Sequence, residues 1–350
     1  MQDKRIETLQ ALYAEQFGSA ASEVVLLPPS GSSRSYFRMK SQKKCCIGAF
    51  HEEIRENRAF LSFSAYFRGE GLPVPEIYAI SPDMRAYLQE DLGDTTLLHF
   101  LEREAHHISI GPAVKEAYQK SIAWLVRFQL SGTDKFDYSV CYPRAAFDEQ
   151  SMAWDMNYFK YYFLRFSGIP FDEQLLEEDF QNFGRYLLET DTHYFLYRDF
   201  QSRNIMLRNG EPYFIDYQGG RKGALQYDIA SLLFEAKTAL TESFREEMLE
   251  YYLDSLQTHI PVKRESFKSY YYAYALIRTM QAMGAYGYRG IFEKKPLFLE
   301  SIPPALAHLR WLLDKAPWPK GLHELRGACE RLASSDRLLK MARERLSEGL

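Results

Sequence analysis

Phe195-Leu-Tyr-Arg-Asp-Phe-Gln-Ser-Arg-Asn-Ile-Met-Leu-Arg-Asn-Gly210, closely followed by Tyr213-Phe-Ile-Asp-Tyr217, decides how this chain is read. His193 to Tyr197 is aromatic and apolar, which predicts a buried strand. A polar loop follows, then a second apolar run, then Asn209-Gly210. Both residues of that pair tolerate positive φ, so they predict a two-residue hairpin turn. Tyr213 to Ile215 completes the hairpin as a third strand. The order strand, loop, strand, turn, strand places three polar side chains at defined points. They are Asp199 in the loop, Asn204 five residues on, and Asp216 at the end of the returning strand.

Such a set suits phosphoryl transfer. Mg²⁺ takes hard oxygen ligands and usually only one or two from protein, leaving the rest to phosphates and water. Asn204 and Asp216 supply that number, and Asp199 remains to receive the proton of an attacking hydroxyl. A lone Asp-x-x-x-x-Asn is common in ordinary turns. It becomes informative here through its context: the hairpin, then Gly219-Gly220, then Tyr227-Asp228-Ile-Ala-Ser-Leu-Leu.

At these residues the chain resembles the aminoglycoside phosphotransferase and choline kinase branch of the protein-kinase-like fold. Within that branch it is most similar to the bacterial cell-wall sugar kinases that phosphorylate N-acetylmuramate and N-acetylglucosamine at the anomeric position. Three segments carry the resemblance: Ser30-Gly-Ser-Ser-Arg-Ser-Tyr-Phe-Arg38, Gln89-Glu-Asp-Leu-Gly-Asp94, and Tyr197-Arg-Asp-Phe-Gln-Ser-Arg-Asn204 through Asp228. It implies an α+β, two-lobed fold with an antiparallel-sheet N-lobe and a mostly helical C-lobe. It also implies ATP and Mg²⁺ as cofactors, Asp199 as the catalytic base, and Asn204 and Asp216 as metal ligands. Nucleotide contacts are expected from the loop Gly31, Ser32 and Ser33 and from the segment Gln89, Glu90, Asp91 and Leu92. Asp228 is expected to be structural, tying its helix to the catalytic loop and capping that helix at its start.

Two positions depart from the family pattern. Tyr197 stands where His is frequent, two residues before the candidate base, and is expected to brace the loop by stacking. Kinases also place a Lys on the third strand to hold the phosphates. Here that strand reads Lys43-Lys-Cys-Cys-Ile-Gly-Ala-Phe50, with an apolar or small centre. Arg34 and Arg38 are the expected substitutes, and neither Glu53 nor Glu56 is assigned to an ion pair with such a Lys.

The bulk numbers bound the rest. The chain has 350 residues, is 46% hydrophobic and carries a net charge of −4. That is enough for two lobes with ample core, and it argues against nucleic acid, which demands a basic face. No stretch approaches the ~20 apolar residues of a membrane span, and the polar start Met1-Gln-Asp-Lys-Arg does not read as a signal peptide, so a cytoplasmic location is expected. Cys45, Cys46, Cys141 and Cys329 are read as reduced, mostly buried thiols.

Along the chain, a helix is expected over residues 4–17, and strands over 23–27, 35–40, 44–50, 76–80 and 85–89, with a helix over 52–69. Helices follow over 96–104, 112–130, 149–166, 171–190, 228–241, 242–258, 266–283 and 303–313. This gives an N-lobe of residues 1–92, a C-lobe of 93–318 and a C-terminal helical extension of 319–350. The extension either packs on the C-lobe or makes a dimer contact, so the state is monomer or dimer. Asp155 and Tyr158, on the helix Met152–Tyr162, and Arg203 in the catalytic loop are the candidate acceptor-binding residues. The expected activity is transfer of phosphate from ATP to a small-molecule hydroxyl, foremost the anomeric hydroxyl of an N-acetylated amino sugar in cell-wall precursor salvage. The alternatives are another small alcohol (a different sugar, choline or an aminoglycoside) and a non-catalytic pseudokinase.

Overall fold

The computed structural model describes residues 3–28, 34–104, 110–133 and 135–347. The glycine loop Gly31, Ser32 and Ser33 lies outside the described residues. Helix α1 (Lys4–Phe17) begins where the Asp3 carboxylate accepts the backbone N–H of Arg5, and it stops at Gly18, whose φ of 78° suits glycine. Strands β1 (Glu23–Leu26), β2 (Ser35–Lys40) and β3 (Cys45–Phe50) follow, then α2 (Ile54–Gly69), β4 (Ile77–Ile80) and β5 (Ala86–Glu90). The five strands form one antiparallel sheet in the order β1-β2-β3-β5-β4. Alternation along β2 buries Phe37 and Met39, and α1 covers that face with Leu9, Leu12 and Tyr13.

Helices α3 (Leu97–Glu104), α4 (Pro112–Ser131) and α5 (Glu149–Phe159) come next, then the short α6 (Arg165–Ser167) and α7 (Glu173–Leu187). Strand β6 (Tyr194–Leu196), the hairpin β7 (Ile205–Arg208) and β8 (Glu211–Phe214), and β9 (Arg221–Gly223) make up the central segment. The remainder is helical: α8 (Leu225–Leu233), α9 (Glu242–Gln257), α10 (Arg264–Ala285), α11 (Pro296–Leu299), α12 (Ile302–Lys315), α13 (His323–Ala333) and α14 (Asp336–Ser347). No described helix is long and apolar enough to cross a membrane.

Two helices and the burial of the cysteines differ from the sequence expectation. The helix predicted over 149–166 is α only to Phe159; residues Lys160–Leu164 open into a π turn. That wider turn goes with a buried Lys160, whose ammonium pairs with Glu173 and Glu177 on α7. The helix predicted to open at Asp228 opens at Leu225 and ends at Leu233, so Asp228 is not its cap. Two of the four cysteines are buried, Cys46 and Cys329; Cys45 is exposed and its thiol meets the Asp91 carboxylate at 3.2 Å.

The chain separates into two compact units. One comprises residues 1–145 and 202–221, the other 146–201 and 222–350. This partition differs from lobes divided at residues 92 and 318, because the first unit takes α3, α4 and the β7–β8 hairpin. The 319–350 segment falls within the second unit. There the backbone N–H of Leu325 on α13 donates to the Asp179 carboxylate of α7 at 2.8 Å.

Candidate active site

The hairpin in the first unit pairs Ile205 with Phe214, Met206 with Tyr213, Leu207 with Pro212 and Arg208 with Glu211. Asn209 and Gly210 have φ of 53° and 79°, the left-handed pair that a tight hairpin with right-handed twist requires. One step beyond the ladder, the N–H of Ile215 donates to the carbonyl of Asn204 at 3.1 Å. This closes the hairpin's open end and brings residues 204 and 216 together. Asp216 itself has a φ of 68°. Few non-glycine residues adopt that conformation, and those that do are frequent at functional sites.

Two amides converge on the Asp216 carboxylate. Asn204 Nδ2 donates to Oδ2 at 3.2 Å, and Gln218 Nε2 donates to Oδ1 at 2.8 Å. Donors therefore stand where a cation would sit, and an amide oxygen and a carboxylate are available at one spot. This donor set is all oxygen, as a hard divalent ion requires. Asn204 and Asp216 thus fit a magnesium site of two protein ligands.

Asp199 belongs to the second unit, where its place is set from both sides. The strand before it, β6, packs Leu196 against Gly223 so closely that a Cβ on Gly223 would lie 2.4 Å from Leu196 Cδ1. The Asp228 carboxylate then accepts the backbone N–H of Tyr197 at 2.8 Å and of Arg198 at 2.9 Å. This explains why Asp228 is no helix cap: both its oxygens are turned to the loop. Tyr197 is buried and packs edge-on against Phe195 and Phe200.

Arg198 holds a φ of 81°. Its guanidinium grips the Asp155 carboxylate with two bonds, of 2.8 and 2.6 Å, and donates to the Tyr227 hydroxyl at 2.6 Å. It also lies over the rings of Phe147 and Tyr227, at 4.9 and 5.2 Å from their centres. Planar, bidentate pairing of this kind is the strong form of Arg–carboxylate contact, and here it secures the strained backbone beside Asp199. Asp155, expected at the acceptor, is buried and has both oxygens engaged by Arg198. The helix carrying it serves the loop at that position. Asp199 keeps 42% of its side chain exposed.

The other candidates are distributed as follows. Arg34 is almost fully buried, 3.5 Å from Glu56 Oε2 on α2, and donates to Asn57 Oδ1 at 3.3 Å. Arg38 is held by Asp91 at 2.7 Å and Asp94 at 2.7 Å. Both expected phosphate-binding arginines therefore have carboxylate partners, and Glu56, unassigned from sequence, faces one of them. Register places Tyr36, Ala49 and Tyr87 side by side across β2, β3 and β5, so the small residue of the third strand lies between two tyrosines. Gln89 and Leu92 are buried; Glu90 pairs with Arg208 at 2.6 Å. Arg203 is exposed. Tyr158 is half-buried, packs edge-on against Tyr162, and abuts Gly284 of α10.

Sequence reading missed one residue here. Arg278 of α10 is buried, with Nη2 at 3.9 Å from Asp199 Oδ1. Its signal in the sequence is a lone charge in the run Tyr274-Ala-Leu-Ile-Arg-Thr-Met280, otherwise a core stretch. A charge at a core position needs a partner, and that partner is the candidate base.

Comparison with known proteins bears on the family and the fold. A model of the phosphotransferase enzyme family matches residues 25–264. An N-acetylmuramate/N-acetylglucosamine kinase of Pseudomonas aeruginosa is 25% identical over 322 residues, covering 89% of this chain and 90% of its own. A kinase of the same description from Neisseria meningitidis is 24% identical over 244 residues, covering 68% of this chain and 70% of its own. Among solved structures, an amicoumacin kinase in complex with AMP-PNP, Ca²⁺ and Ami superposes with a TM-score of 0.63 at 12% identity, covering 93% of this chain and 97% of that one. An aminoglycoside phosphotransferase with ADP and hygromycin B gives a TM-score of 0.53 at 14% identity, covering 94% and 99%. The fold is therefore kinase-like.

Proposed function

We propose that this chain, which belongs to the phosphotransferase enzyme family, phosphorylates the anomeric hydroxyl of an N-acetylated amino sugar, with ATP as donor and Mg²⁺ as the metal. The class of reaction, phosphoryl transfer to an alcohol, comes with the family. The sugar is the finer reading. It is supported by relatives described as N-acetylmuramate/N-acetylglucosamine kinases that align along most of their own length. The single observation that carries the roles is the pairing of Asn204 with Asp216 at the end of the hairpin, with Asp199 five residues before Asn204 in sequence.

In this reading Asn204 and Asp216 hold the magnesium, which neutralises phosphate charge when bound. Asp199 orients the acceptor hydroxyl and takes its proton. Asp228 and Arg198 fix the backbone on which Asp199 is carried. A cytoplasmic location, where ATP is available, is part of the same proposal.

The test is substrate-directed. N-acetylglucosamine or N-acetylmuramate incubated with Mg-ATP is expected to give an acid-labile 1-phosphate. The methyl glycoside, which keeps most binding groups but lacks the free anomeric hydroxyl, is expected to inhibit without turnover. Efficient phosphorylation of the methyl glycoside would move the reaction to another hydroxyl. Turnover of choline or an aminoglycoside, with none of either sugar, would overturn the sugar assignment.

A further inference from the structure

Arg278 has a geometry that its neighbours do not require. Its Nε donates to Ser231 Oγ on α8 at 3.0 Å, and its Nη1 donates to Gln281 Oε1 on its own helix at 2.5 Å. Those two bonds fix the plane of the guanidinium and aim Nη2 at Asp199. Among the described residues, Nη2 makes no hydrogen bond; Asp199 Oδ1 at 3.9 Å is its ion-pair partner. That separation is too long for a hydrogen bond between the two. The side chain is only 7% exposed, whereas Asp199 is 42% exposed. A charged donor has thus been taken out of water, braced on two sides, and stopped short of the carboxylate it faces.

The gap has the size of one oxygen atom. An oxygen placed about 2.8 Å from each of two atoms 3.9 Å apart subtends an angle of about 90° between them (twice the arcsine of 1.95/2.8). A hydroxyl meets both demands at once: its proton goes to the carboxylate, and one lone pair accepts from the guanidinium. The second lone pair stays available for bond formation. A donor aimed at the oxygen also stabilises the negative charge that grows there as the proton leaves.

We propose that Arg278 Nη2 and Asp199 Oδ1 together form a two-point cradle for the attacking oxygen of the acceptor, so that Arg278 selects and holds the hydroxyl from which Asp199 takes the proton. The proposal rests on the reading of Asp199 as the base. In the step itself, the acceptor O–H bond breaks, its proton passes to Asp199, and the oxygen bonds to the γ-phosphorus as the bond to the β,γ-bridging oxygen of ATP breaks. Arg278 keeps its protons throughout.

The experiment compares Arg278→Ala, Asp199→Asn and the double variant. Rates are measured first on hydrolysis of Mg-ATP, where water supplies the oxygen and no particular sugar is needed, and then on N-acetylglucosamine. Arg278→Ala is expected to lower kcat by about 10²-fold, the loss typical of removing one such donor, with nucleotide affinity unchanged. The double variant is expected to be no slower than Asp199→Asn alone. Guanidinium at a non-denaturing concentration is expected to restore part of the Arg278→Ala rate, while urea at the same concentration does not. A bracing role between α8 and α10 would instead lower the melting temperature and nucleotide affinity, respond to neither additive, and add to the Asp199→Asn loss; that pattern overturns the proposal. So does wild-type turnover by Arg278→Ala beside an inactive Asp199→Asn, which leaves the base assignment standing. Wild-type turnover by Asp199→Asn overturns both.

Discussion

At the scale of single residues, the candidate site is built from side chains held by other side chains. Asp199 is preceded by a residue in left-handed conformation, and that conformation costs roughly 1–2 kcal/mol outside glycine. Arg198 is held there by two carboxylate bonds and a tyrosine hydroxyl. Asp199→Asn preserves this framework while removing the proton acceptor. We expect kcat to fall by about 10² to 10⁴-fold, the usual share of a general base, with nucleotide affinity nearly unchanged; steady-state kinetics and a nucleotide titration measure both. Asp216→Ala removes the anionic member of the Asn204–Asp216 pair and is expected to abolish the magnesium dependence of ATP binding, whereas Asn204→Ala, which removes only a neutral ligand, weakens it less. ATP binding by the Asp216→Ala protein that still tightens with magnesium as much as the wild type's does, by calorimetry, would remove the metal assignment.

What the sequence could disclose follows the same division. The Asn204–Asp216 contact follows from short-range turn chemistry: Asn209-Gly210 sets the hairpin register, and the register sets that contact. Asp155 and Arg278 were misjudged or missed for a common reason. Each meets its partner from more than forty positions away, and local pattern contains nothing about which distant charge a helix face will meet. Asp228 shows both sides. Its tie to the loop followed from the family resemblance, but its place three residues into α8 did not follow from its capping propensity, since the loop's N–H groups claim the carboxylate.

At the scale of elements, apolar periodicity gave α1, β2 and α4 nearly residue for residue, because each buries one clean face. It failed where two helices approach unusually closely. The chain after Phe159 widens into a π turn, and the chain after Ala285 does the same over Tyr286–Phe292. The two widened stretches meet at Gly287, where a Cβ would stand 1.8 Å from the carbonyl oxygen of Tyr162. Periodicity of 3.6 cannot announce a turn of different pitch. The contact does make a prediction. Gly287→Ala must push backbone against backbone and is expected to cost at least the ~1–3 kcal/mol typical of overpacking. Gly184→Ala, inside α7 with nothing within 4 Å of the new methyl, is expected to be neutral or to stabilise by about 0.5–1 kcal/mol through helix propensity. Denaturant titrations of the two variants test this; equal effects would mean that the approach at Gly287 is loose.

For the molecule as a whole, pH dependence follows from groups buried in one protonation state. His308 of α12 is buried beside Phe234, edge-on at 5.5 Å, and Arg245 lies over the same Phe234 ring. Burial first, and the nearby Arg245 charge second, lower its pKa from 6.5 to about 4. The folded protein therefore refuses a proton that the unfolded chain accepts below its own pKa of 6.5. Stability from this group is complete above pH 6.5 and is lost as pH falls from there to about 4, below which both states are protonated and the loss stops. A shift of that size corresponds to about 3 kcal/mol in full, of which about 2 kcal/mol is gone by pH 5. His308→Leu keeps an apolar side chain against Phe234 and removes the titration. Its melting temperature is expected to fall less than the wild type's between about pH 7.5 and about pH 5. Parallel falls in the two proteins would show that His308 accepts its proton in the folded state, and the acid sensitivity would then have to come from carboxylates paired in the native fold.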